Sequence, residues 1–167
     1  MGHEKIKGLF FENPSQEFYL RQIAKLTKIP KTSAARELEK LQKSGLVLRK
    51  RSKPFDRYIA NTENPMYRFY KKNFIIEKIQ LSGLVDYVVK ESHPKAIVLF
   101  GSCAKGEYTS NSDIDLFVIS PEAALDLEKF KLKHKINLFF EPDILKISKE
   151  LRQNVINGVI LFGMIKI

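Results

Sequence analysis

Residues 96–120 read AIVLFGSCAKGEYTSNSDIDLFVIS, and the fold turns on this stretch. Ala96–Phe100 is an unbroken apolar run of strand length, which predicts a central strand buried on both faces. It ends at Gly101-Ser102. A glycine there lets the backbone turn sharply and leaves room for a phosphate, because no Cβ intervenes. The Ser102 hydroxyl and nearby amides are donors for phosphate oxygens, and Gly106 permits another unusual turn. After the turn-like Asn111-Ser112, Asp113-Ile114-Asp115 opens a second apolar run that reaches Ile119. Residues i and i+2 of a strand share a face, so both carboxylates point one way while Ile114 and Leu116 point the other. Two carboxylates side by side repel, and a cation between them removes that cost. Mg²⁺, which takes a few carboxylates together with substrate phosphate oxygens, suits the pair.

Gly-Ser, ten intervening residues, then Asp-x-Asp on a strand resembles the signature of the polymerase-β nucleotidyltransferase superfamily. The fuller string GSCAKGEYTSNSDIDLFV is similar to the minimal nucleotidyltransferases of bacteria and archaea, including antitoxins of toxin–antitoxin pairs. By that resemblance Gly101 and Ser102 hold a nucleoside triphosphate, while Asp113 and Asp115 bind Mg²⁺ and are the catalytic carboxylates. Lys105 stands where many relatives have arginine, and either touches phosphate or is simply exposed. Active members carry a third carboxylate on a later strand, here Lys135–Phe140, and the aligned position is Asn137. An amide is not ionised and cannot act as a base. Glu141 has the same strand parity but lies four residues on, about 13 Å along at ~3.3 Å per residue. The resemblance therefore implies transfer of a nucleoside monophosphate to a hydroxyl acceptor, or a domain that binds nucleotide and has lost catalysis.

Outward from this core the chain alternates strand and helix signals over residues 95–167, which predicts an α/β (mixed α+β) domain. Ile136–Phe140 is its third apolar run. The tail Val155–Leu161 resembles the closing helix of the same superfamily. His134 is placed among lysines on a surface helix, Cys103 in small-residue packing, and Phe10-Phe11 and Phe139-Phe140 in cores. Residues 62–94 open on Thr62-Glu63-Asn64-Pro65, a helix start. Apolar residues recur near helical spacing through Phe69, Ile76, Ile79, Leu84, Val88 and Val89 until His93-Pro94 stops them. This stretch reads as a helical connector.

Residues 1–61 read differently. Ile23–Leu26 has the spacing of a short helix, and Thr27-Lys28-Ile29-Pro30 breaks it. Thr32 or Ser33 is positioned to cap a second helix, with Ala35, Leu38 and Leu41 on its buried face. Gly45 suits a left-handed C-terminal position. Leu46–Arg51 and Arg57–Asn61 read as strands around a turn. The stretch LRQIAKLTKIPKTSAARELEKLQKSGLVLRK resembles the winged-helix DNA-binding domains of prokaryotic transcription regulators. There the second helix of the pair enters the major groove. The resemblance implies that Lys31, Thr32, Ser33 and Arg36 meet base edges. Arg49, Arg51, Lys53 and Arg57 of the wing would approach phosphates or the minor groove.

The charge agrees with a polyanionic partner. The chain has 167 residues and a formal net charge of +10, and residues 1–64 hold 14 Lys/Arg against 7 Asp/Glu. Such a bias attracts nucleic acid through phosphate neutralisation and counterion release. No run approaches the ~20 apolar residues of a membrane span. The N-terminus lacks a signal-peptide core, and the single cysteine forms no internal disulfide; together these suggest a cytoplasmic protein. DNA and NTP are the expected partners, with a partner toxin or another protein acceptor and a homodimer as further readings.

Overall fold

The computed structural model describes residues 2–166, and the chain divides into two compact units, residues 1–71 and 72–167. Among the described residues no helix is long and apolar enough to cross a membrane.

The first unit runs α1 (Gly2–Glu12), β1 (Phe18–Tyr19), α2 (Leu20–Thr27), α3 (Lys31–Lys43), β2 (Val47–Lys50) and β3 (Arg57–Ala60). The three strands form an antiparallel sheet in the order β1-β3-β2. β1, only two residues long, is too short to leave a period in the sequence. The core is built from Ile6, Phe10, Phe11, Phe18, Ile23, Leu38 and Leu41, each at most 2% exposed. Burying each such side chain contributes about 1.5–3 kcal/mol. Tyr67 joins this core from the next helix; its hydroxyl donates to the Phe10 carbonyl at 2.9 Å, and burial pushes its phenol pKa upward.

Two details of α3 differ from the sequence reading. The helix starts at Lys31 with Pro30 at the N-cap, and Thr32 and Ser33 lie exposed inside its first turn. A residue before proline is excluded from helical geometry, so the chain can enter the helix only after Ile29. The buried stripe is then Ala34, Leu38 and Leu41, and Ala35 is exposed. Gly45 takes φ +71° just past the helix, as its position predicts.

α4 (Pro65–Leu81) spans the chain boundary between the units, and α5 (Leu84–Ser92) follows. Ile79, Leu84 and Val88 are buried as their spacing predicts, and Ile75 joins them, whereas Phe69, expected on the same face, is 54% exposed. Then come β4 (Ala96–Phe100), α6 (Gly101–Lys105), β5 (Ile114–Val118), β6 (Ile136–Phe140), a 3-10 turn at Ile144–Lys146, α7 (Lys149–Ile156) and β7 (Val159–Gly163). The sheet order is β6-β5-β4-β7, with β5 and β6 parallel and the other pairs antiparallel. β4 is buried along its whole length, as a strand apolar on both faces must be. On one face Ala96, Val98, Phe100, Phe117 and Ile119 cluster with Ile144 of the 3-10 turn and Val155 of α7.

The tail is a correction. Val155–Leu161 is not one helix: α7 stops at Ile156 and residues 159–163 form β7 against β4. Gly158 makes the close approach, since a Cβ there would lie 2.5 Å from the Leu99 carbonyl oxygen. The β-branched and aromatic run beyond it satisfies the free backbone edge of β4, and that sheet pairing outweighs helical continuation. His134 is a second correction. It is 6% exposed, not a surface residue, because its ring packs edge-on against the buried Tyr108. Phe139 and Phe140 are a third: β6 is an edge strand, and Phe139 is 41% exposed.

Candidate active site

The site is assembled where β4 ends and β5 begins. Phe100 pairs with Asp115 across β4–β5, so Gly101 leaves the sheet directly beside the second carboxylate. Gly101 has φ +72°, and a Cβ placed on it would stand 2.9 Å from Asp115 Oδ2. The glycine is thus required twice, for backbone conformation and for space. Gly101→Ala is expected to destabilise the unit by about 1–2 kcal/mol from the left-handed conformation alone. It should also displace the Asp115 carboxylate. A lowered denaturation midpoint together with weakened nucleotide binding would register both effects.

β6 lies parallel to β5 in the register Asp115↔Asn137. The Asn137 amide nitrogen donates to Asp115 Oδ1 at 2.9 Å and to Asp113 Oδ2 at 3.1 Å. Asp113, Asp115 and Asn137 are half-buried and share one face of the sheet. The amide thereby bridges two like charges that would otherwise repel, at hydrogen-bond lengths ordinary for N–H to oxygen. Glu141 does not join them. It lies at the other end of β6, where its backbone N–H donates to Val118 O and its Oε1 accepts from the Asp143 N–H at 3.0 Å.

The loop between α6 and β5 is held from three sides. The Cys103 thiol, fully buried, donates to the Asp113 carbonyl at 3.3 Å. The His134 ring nitrogen Nδ1 donates to the Ser112 carbonyl at 2.7 Å. The Ile114 N–H donates to the Lys135 carbonyl at 2.8 Å. Cys103 and His134 therefore position the first aspartate without touching its carboxylate. The sequence reading missed His134 because its neighbours are lysines; Tyr108, the ring it packs on, was the available signal. Ser102 is half-buried on α6, and Lys105 is exposed at the end of that helix. Among the described residues no three His, Cys, Asp or Glu side chains converge as a metal-binding group, which follows from the amide at position 137.

The residues expected to meet DNA all lie in the first unit. Lys31, Thr32, Ser33 and Arg36 line the exposed start of α3, and Arg49, Arg51, Lys53 and Arg57 are exposed on the β2–β3 hairpin. Two of these eight are already engaged. Arg49 pairs with Asp56 at 2.5 Å and Arg57 with Glu17 at 3.0 Å. Hydrogen bonding to Arg49 holds the Asp56 carboxyl below its ordinary pKa, and the Ser52 N–H adds to the effect. Lys50 and Arg57 do the same for Glu17. Arg51, Lys53, Lys31 and Arg36 have no salt bridge among the described residues.

No curated protein and no solved structure matches the chain. A family model does: the model of the nucleotidyltransferase domain matches residues 81–158, from the end of α4 through α7, and this span contains Gly101, Ser102, Asp113, Asp115 and Asn137. Over these residues the second unit is similar to the nucleotidyltransferase domain, and that similarity supports reading the chain as a nucleotidyltransferase-family protein.

Proposed function

We propose that the chain binds a Mg²⁺–nucleoside triphosphate at Gly101, Ser102, Asp113 and Asp115. In this reading its first unit is a winged helix that binds DNA. The observation that carries the nucleotide reading is the convergence of Asp113, Asp115 and Asn137 on one face beside the Gly101 turn. Nucleotidyltransferase domains generally use Mg²⁺, and the residues fit it. Each carboxylate gives one oxygen to Asn137 and retains another, and the absence of a Cβ at Gly101 leaves Asp115 Oδ2 uncrowded. Asp113 and Asp115 would hold the ion, which would neutralise charge on the transferring phosphoryl group. Gly101 leaves room for the triphosphate to approach, and the Ser102 hydroxyl donates to it. Lys105 adds a positive charge at the end of α6.

If the domain transfers, the acceptor hydroxyl must lose its proton without help from position 137. Asn137 orients the carboxylates but accepts no proton. Absence of a general base removes a contribution of about 10²–10⁴ in rate, so slow nucleoside monophosphate transfer is the expected activity. The same observation favours a second reading, a transcription regulator whose nucleotidyltransferase domain retains nucleotide binding and has lost catalysis. The helix, helix and hairpin order of the first unit and its surplus of lysine and arginine support the DNA-binding half.

The test is calorimetry of Mg²⁺–ATP and Mg²⁺–GTP with the natural protein and with Asp113→Asn/Asp115→Asn. Binding present in the first and lost at least ten-fold in the second is the expected result. Equal binding by both proteins would remove the aspartates from the nucleotide site.

A further inference from the structure

The β2–β3 hairpin and the start of α2 and α3 border a half-open cavity of about 420 Å³, lined by Tyr19, Arg21, Lys31, Arg49, Phe55 and Tyr58, with Asp56 beside them. That size lies within the ~300–1,000 Å³ usual for small-molecule sites. Its walls are aromatic. Phe55 stands 55% exposed, and the Arg21 guanidinium lies 5.5 Å from its ring centroid. Its charge is unbalanced. Asp56 is held by Arg49, so that pair cancels, while Arg21 and Lys31 have no carboxylate partner among the described residues. Two uncompensated cations beside one exposed ring fit a ligand with a flat apolar body and an anionic group.

We propose that this cavity binds one unstacked nucleotide, with its base against the exposed ring of Phe55 and its phosphate on Arg21 and Lys31. The base replaces the Arg21 contact on the ring of Phe55 and gains stacking worth about 1–3 kcal/mol. Arg21, freed from the ring, turns its planar donors to the phosphate in a charge-assisted pair. The nucleotide is either free or part of a single strand. Double-helical DNA does not satisfy the cavity, because its bases are stacked and paired. This site is separate from the aspartate pair in the other unit.

The full chain is titrated by calorimetry with AMP, with a ten-residue oligothymidylate and with a DNA duplex, all in EDTA to silence metal-dependent binding. Phe55→Leu, Phe55→Ala and Arg21→Ala are compared with Asp113→Asn/Asp115→Asn. Phe55 and Arg21 are exposed, so unchanged melting temperatures are expected. The expected result is at least ten-fold weaker binding of AMP or oligothymidylate in the Phe55 and Arg21 variants and none in the aspartate variant. Loss with AMP assigns a free nucleotide, and loss with the oligonucleotide alone assigns a strand. Duplex binding, which persists in Phe55→Leu, reports separately on the DNA reading. Absence of binding to AMP and oligonucleotide, or binding that ignores Phe55 and Arg21, overturns the proposal.

Discussion

Asn137→Asp is expected to raise Mg²⁺-dependent nucleotidyl transfer by about 10²-fold or more, the scale of a restored general base. The register makes the experiment clean. Position 137 is paired directly with Asp115, so the new carboxylate arises beside the existing two without any backbone movement. The substitution also converts two hydrogen bonds into repulsion. Hydrogen bonds to charged groups contribute about 1.5–3 kcal/mol each, so in EDTA the variant should lose about 2 kcal/mol or more. For a unit of this size that corresponds to a melting temperature lower by roughly 8–16 °C. Millimolar Mg²⁺ should return most of it, since an ion that binds only the folded state stabilises by mass action. The natural protein, whose carboxylates are already bridged by an amide, should respond to Mg²⁺ much less. A variant with no transfer and no Mg²⁺-dependent gain in stability would mean that the three positions do not form a metal site.

The parts of this architecture legible in the sequence are those with a strong local cause. Ala96–Phe100 and Ile136–Phe140 were readable to the residue because continuous apolar runs between turn formers have few alternatives. The aspartate pair was readable because strand alternation dictates its common face; Asn137 was placed at the third carboxylate's position by the family resemblance, and its pairing with Asp115 emerges only from the register of the sheet. What escaped depends on contacts distant in sequence. Val159–Gly163 became a strand because β4 had an unpaired edge, a fact invisible in the tail itself. His134 was misplaced because its burial is set by Tyr108, twenty-six residues away in the chain. Phe139 reads as core by hydropathy, yet it stands 41% exposed on the sheet's edge strand, beyond which no further strand pairs among the described residues. The hairpin arginines illustrate a related limit. Their charge was legible, but whether each was available to a partner depended on Glu17 and Asp56.

That last distinction yields the second large effect. Removing Lys31, Arg36, Arg51 and Lys53 together should nearly flatten the salt dependence of duplex DNA binding. Removing Arg49 and Arg57 should alter it far less. Each phosphate neutralised adds about −0.9 to the slope of log affinity against log salt. Four contacts therefore give a slope near −3.6, and the natural protein should lose roughly 10²-fold in affinity between 50 and 200 mM salt. Arg49 and Arg57 must first leave Asp56 and Glu17, so a phosphate gains little net charge from either. Acid should change that ranking. Arg49 holds Asp56 below its ordinary pKa, and Lys50 together with Arg57 does so for Glu17, so the pairs persist at neutral pH and are lost only as pH falls through those depressed values. Once the pH has fallen through them Arg49 and Arg57 are released, and their substitution should then begin to matter. Anisotropy titrations of a labelled duplex across salt, at pH 7 and at the lowest pH where the unit stays folded, measure both statements. Equal losses from the two sets of substitutions at pH 7 would show that the ion pairs do not sequester the hairpin arginines. No salt-dependent binding at all would remove DNA as the partner of the first unit.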